Sequence, residues 1–125
     1  MEKEEKDFGF RKLIVWQKAV ELADNVYKVS EKLPKRESNI LIPQLFRAIN
    51  SIPANIAEGS FRQSKKEFIQ FLFVAKGSLA EAITYFELAY RQRYFDKSNY
   101  DILMNQSKEV LTLLVALINS FRKVD

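Results

Sequence analysis

Seven apolar positions, Phe68, Leu72, Ala75, Leu79, Ala82, Phe86 and Ala89, step by four and three along one stretch of this chain. Only an α-helix returns residues at those steps to one face, and their alternation marks a helix packed among other helices. The pattern recurs. Val15, Ala19, Leu22, Val26 and Val29 make a first face, Leu45, Ile49, Ile52 and Ile56 a second, and Leu103, Ser107, Leu111, Leu114, Ile118 and Phe121 a fourth. We therefore expect four helices and no strand, near residues 14–32, 42–60, 65–92 and 98–123. The last two have about 25 to 28 residues, roughly 40 Å at 1.5 Å per residue, and short connections make helices of that length antiparallel neighbours. The expected fold is all-α: an up-down-up-down antiparallel four-helix bundle in a single domain over residues 1–125. Residues 1–9 read as a charged, flexible tail.

Local signals place the helix ends. Leu33-Pro34 closes the first helix, because the residue before a proline avoids helical geometry. Pro43 suits the first turn of the second helix, where its missing N–H does no harm. Pro53 is different. It sits between Ile49 and Ile56 on an unbroken apolar face, so the helix is expected to continue through it with a kink, losing the bond to the Ile49 carbonyl. Gly59 fits a helix C-cap. Ser64 with Glu67, and Ser98 with Asp101, have capping-box spacing. Gly77, in the middle of the third helix, costs about 1 kcal/mol against alanine, which close approach of another helix would explain.

The chain contains neither Cys nor His. Disulfides, thiol nucleophiles, imidazole bases, zinc fingers and the Glu-x-x-His ligands of ferritin-like sites are thereby excluded. A carboxylate pair, Glu58 and Glu81 with Asn55 and Gln44 nearby, would suit a divalent cation. The structural reading is preferred: Asn55 bonds backbone groups freed by Pro53, and Glu58 pairs with Arg62 at i, i+4. Pro53, Asn55 and Glu58 are thus read as a kink and its polar support. No metal, cofactor or catalytic residue is expected, and an enzyme is not the reading, since no nucleophile–base pair is present. No apolar run approaches the roughly 18 residues of a membrane span. The acidic start, Met1 to Asp7, is the opposite of a secretory signal. A cytoplasmic location and no membrane partner are expected.

Hydrophobic residues make up 47% of the chain, with ten Phe against three Gly and three Pro, which favours long helices and short connections. Phe68, Ile69, Phe71, Leu72, Phe73, Val74 and Ala75 leave almost no solvated side over two turns, and Ala80, Ile83, Tyr85 and Leu88 extend that surface. A helix apolar over most of its girth is buried from more than one direction, which points to a subunit interface carrying Phe71, Phe73 and Ile83. An aromatic-rich core is the other reading. Trp16 and Tyr27 are read as packing residues in preference to base-stacking platforms.

The net charge is +4, and beyond the first seven residues 18 bases stand against 12 acids. In the expected topology, the start of helix one, the turn between helices two and three, and the end of helix four meet at one pole. That pole gathers Arg11, Lys12, Arg62, Lys65, Lys66, Arg122 and Lys123, a surface able to contact phosphates by charge without base readout. Arg122 and Lys123 suit a helix C-terminus in any case. Lys65 and Lys66 lie at a helix N-terminus, where cations are disfavoured.

Val15-Trp16-Gln17-Lys18-Ala19, Gln44-Leu45, Arg47-Ala48, Ser51-Ile-Pro-Ala-Asn-Ile-Ala-Glu-Gly59, Arg62, Glu67-Phe68, Phe71-Leu72, Ala75 and Gly77-Ser-Leu-Ala-Glu81 together resemble the four-helix-bundle proteins encoded in 23S rRNA intervening sequences. Accessory proteins of diversity-generating retroelements, which partner a reverse transcriptase, belong to the same superfamily. The resemblance runs from about Phe10 to Arg122 and is most specific from Ser51 to Phe68. Phe46 departs from it, standing where a second arginine beside Arg47 is common. The resemblance implies a four-helix bundle, a homopentamer, no catalysis, and a nucleic-acid, ribosomal or reverse-transcriptase partner. Two function classes follow: an oligomer that binds RNA or DNA through its basic pole, or a protein-interaction scaffold without nucleic acid.

Overall fold

The structure, a computed structural model, describes residues 8–122, and among these there is no strand. Four helices carry the fold: α1 Ile14–Ser30, α2 Leu41–Ser60, α3 Lys65–Arg91 and α4 Lys97–Arg122. Short 3-10 turns at Phe10–Lys12 and Lys35–Glu37 precede α1 and α2. Each helix packs on its neighbours in sequence, and α1 also packs on α4. Cross-helix bonds set the register. Ser51 meets Ser78 at 2.9 Å and Gln44 meets Tyr85 at 2.7 Å, so α2 and α3 run antiparallel. Asn25 to Gln106 and Lys18 to Glu109 do the same for α1 and α4. The expected up-down-up-down bundle is the fold.

The core is built from the expected seams, with two local shifts. Leu22, Leu45, Ile49, Ile52, Ile56, Leu72, Leu79, Phe86 and Leu114 are sealed from solvent. In α4 the buried residue is Val110, not Leu111, which is exposed. The step from Ser107 to Val110 is three, so the seam is kept and only the assignment moves by one residue. At the end of α1, Val29 is half-buried and Ser30 takes the inner position, while Leu33, past the helix end, joins the core. The helix stops at Ser30, two residues early, because Leu33-Pro34 turns the chain away.

Pro53 lies inside α2, as the isoleucine face requires. Asn55 is the i+4 partner of Ser51: its amide donates to the Ser51 carbonyl and hydroxyl, both at 2.8 Å. It therefore braces the helix beside the proline and not at the Ile49 carbonyl that Pro53 leaves without its helical donor. Glu58 pairs with Arg62 at 2.8 Å, as expected.

Gly59 is not the C-cap. It is buried inside α2, which ends at Ser60, and Phe61 caps in right-handed geometry. A Cβ on Gly59 would lie 2.7 Å from Phe71 Cβ and 2.8 Å from a Phe68 ring carbon, so glycine is required by the approach of α3. Gly77 is the reverse case. Its missing Cβ would meet nothing within 4 Å, and no neighbouring helix accounts for it.

The caps divide similarly. Ser64 Oγ accepts from the Glu67 N–H at 3.2 Å and starts α3. At α4 the cap is Asp96, whose carboxylate accepts from the Asn99 N–H at 2.8 Å; Asp101 instead pairs with Lys97 at 3.0 Å. The helix thus begins two residues earlier than an N-cap at Ser98 would place it. The C-terminus of α3 closes with the Tyr94 N–H on the Ala89 carbonyl and the Arg93 N–H on the Tyr90 carbonyl, both at 2.9 Å. This is a Schellman closure with Arg93, φ 64°, in the left-handed position usually given to glycine. A side chain there costs about 1–2 kcal/mol.

Candidate nucleic-acid interface

Aromatic contacts bring the basic segments together at one end of the bundle. The ring of Phe10, in the turn before α1, lies 5.8 Å from Phe61 in the α2–α3 turn and 5.2 Å from Trp16. Phe68 on α3 lies 5.1 Å from Phe121 on α4. Arg11, Lys12, Arg62, Lys65, Lys66 and Arg122 are all exposed around these rings, and Lys123 lies outside the described residues.

Several of these cations rest on aromatic faces. The Arg62 guanidinium stands 4.6 Å from the centre of Phe71, Lys65 Nζ 5.7 Å from Phe121, and Arg122 5.1 Å from Phe73. Such contacts are worth about 0.5–1 kcal/mol at exposed sites. They supply Lys65 with a structural reason for its place at a helix N-terminus. Lys66 has no ion pair, hydrogen bond or ring contact among the described residues. Phe61 is 68% exposed, which places a large aromatic face among the cations. This lining of rings was missed at the level of sequence, although its signal is there: phenylalanines flank every basic segment of the pole.

The expected interface residues separate. Phe73 is 41% exposed and its neighbour Val74 51%. Phe71 is half-buried beneath Arg62, and Ile83 is half-buried against the core. The girth of α3 is thus divided between the core, the aromatic pole and an exposed strip that includes Val74 and Leu88.

Other sequence candidates resolve into structural roles. Glu81 and Gln44 converge on the Tyr85 hydroxyl, at 3.0 and 2.7 Å, while Glu58 is held by Arg62, so the pair does not form a shared pocket. Burial, then the bond with Glu81, raises the Tyr85 pKa. Among the described residues no group of three or more acidic, His or Cys side chains is placed to hold a metal ion. Nor is any described helix long and apolar enough to cross a membrane. Tyr27 stacks on Phe46 at 4.4 Å and accepts from Asn50 at 2.7 Å, so the residue that replaces the second arginine is a packing partner of α1.

The fold and the ringed basic pole define a small helical-bundle protein. Residues 11–116 match the family model of the 23S rRNA-intervening sequence protein, and the chain belongs to that family. A solved structure from Bacteroides thetaiotaomicron VPI-5482, described as a protein with unknown function from the S23 ribosomal protein family, is similar to it. The two are 29% identical with a TM-score of 0.78, over 84% of this chain and 98% of that one. No curated protein matches the chain.

Proposed function

We propose that this protein is a non-enzymatic, oligomeric bundle that binds RNA or DNA phosphates through its ringed basic pole. The carrying observation is the meeting of cations from the chain start, the α2–α3 turn and the end of α4 over a shared set of phenylalanines. Cations fixed on rings lose less side-chain freedom when a phosphate arrives. Their contacts carry charge and no base-edge pattern, so the binding is sequence-tolerant. Family membership favours an RNA partner. The homopentamer, and a ribosomal or reverse-transcriptase partner, are taken from the resemblance; self-association itself is supported by exposed Phe73, Val74 and Leu88 on α3. A ring of subunits would repeat the pole about one axis and multiply weak contacts.

Fluorescence anisotropy with a structured RNA and an unrelated duplex DNA tests the reading. Comparable affinity for both at low salt, falling steeply as salt rises, is the expected result. Absence of binding to either at low salt would favour the protein-scaffold reading.

A further inference from the structure

The other end of the bundle carries a recess of about 470 Å³ between the end of α1 and the α3–α4 connection, lined by Lys32, Arg91, Arg93 and Lys97. Two of these charges are already answered: Arg91 by Glu87 at 2.9 Å and Lys97 by Asp101 at 3.0 Å. Lys32 and Arg93 have no side-chain ion pair, hydrogen bond or ring contact among the described residues. The acid in the lining, Asp96, has one carboxylate oxygen on the Asn99 N–H at the start of α4. The ring of Tyr94 completes one wall, with its hydroxyl tied to Glu37 at 2.8 Å and approached by Arg36 at 3.2 Å.

Arg93 is the informative residue. It holds the left-handed position of the α3 closure, where glycine would relieve strain, yet its guanidinium is exposed and has no partner in the fold. The closure requires the left-handed backbone but not an arginine side chain, which leaves the guanidinium available for contact with something outside the chain. A guanidinium and an ammonium lining one recess suit a phosphate group.

We infer that this recess is a second phosphate-binding site, independent of the basic pole, in which Arg93 and Lys32 take the phosphate oxygens. The phosphate is carried either by a small pyrophosphate-like molecule or by a nucleic-acid backbone.

The test is calorimetric titration of the full chain with pyrophosphate, and in a second arm with a short single-stranded oligonucleotide, using wild type, Arg93→Gly, Lys32→Gln and the pole variant Arg62→Gln/Lys65→Gln/Lys66→Gln. Arg93→Gly is expected to melt no lower than wild type, since glycine accepts the positive φ, while losing at least about tenfold in pyrophosphate affinity, the loss expected for a charge-assisted contact. Lys32→Gln should weaken binding in the same direction, and the pole variant should leave pyrophosphate binding intact. If Arg93→Gly also weakens the oligonucleotide, the ligand is a backbone phosphate; if only pyrophosphate is lost, it is a small pyrophosphate-like molecule. Wild-type protein that binds no pyrophosphate at millimolar concentration would overturn the inference. So would undiminished binding by both Arg93→Gly and Lys32→Gln, or loss of pyrophosphate binding in the pole variant alone.

Discussion

Gly59 and Phe71 bring α2 and α3 so close that a methyl group on the glycine would lie 2.7 Å from the phenylalanine Cβ. The contact lies beside the α2–α3 turn with Arg62 and the start of α3 with Lys65 and Lys66, and Phe71 is also the ring beneath Arg62. One packing decision therefore fixes both the helical hairpin and part of the candidate interface. Gly59→Ala should destabilise the protein by about 1–3 kcal/mol, the usual range for overpacking, despite alanine's better helix propensity. Gly77→Ala, with nothing near its Cβ, should stabilise it by about 0.5–1 kcal/mol. Denaturant melts that give both changes the same sign would contradict this.

The caps predict a second contrast. Asp96→Ala should cost about 1 kcal/mol, because it leaves the Asn99 N–H without its side-chain acceptor. Ser98→Ala should be near neutral. A larger loss from Ser98→Ala than from Asp96→Ala in paired thermal melts would mean that Ser98, and not Asp96, starts α4.

A third concerns pH. The Tyr100 hydroxyl, then Arg91, hold the Glu87 carboxyl below its ordinary value, while the bond to Glu87, then burial, raises the Tyr100 pKa. A lowered acid stabilises the fold above its unfolded pKa, near about 4.3, and loses that contribution as pH falls through the folded value. A raised phenol stabilises below its unfolded pKa, about 10, and loses the contribution as pH rises through its folded value. The stability difference between wild type and Tyr100→Phe should thus be level between about pH 5 and 9 and close at both extremes. A difference that persists unchanged at pH 3 would rule out the Glu87 bond as its source.

Phe73→Asp tests assembly. It removes the exposed ring and leaves a carboxylate within reach of Arg122 and Lys76, so the loss of apolar area, and not an unpaired charge, is what weakens a subunit contact there. Light scattering should report an oligomer for wild type and a smaller species for the variant, with helical circular dichroism retained. A wild-type monomer at micromolar concentration would remove the oligomer from the account.

The bundle was legible because its seams are long and regular: twenty-odd residues of fours and threes in α3 leave little choice of fold. What went unread was local. Gly59 has the sequence appearance of a cap, and only the arrival of Phe68 and Phe71 from α3 shows that it is a contact residue. Asp96 and Ser98 are both good N-caps two residues apart, so geometry decides between them. At the pole, topology was enough to gather the charges, because it depends only on helix order. The rings beneath them depend on side-chain direction, and the spare cations of the opposite recess depend on which acids fold onto their neighbours. Neither is written in spacing.

The most direct test of the central claim is the salt dependence of RNA binding by wild type and by Arg62→Gln/Lys65→Gln/Lys66→Gln. Each phosphate contact contributes about 0.7–0.9 to the slope of log K against log salt, so removing three cations should flatten it by about two to three. Affinity should fall about equally for unrelated sequences. A variant that keeps the wild-type slope and affinity, with binding that survives half-molar salt, would show that the basic pole is not where this protein meets nucleic acid.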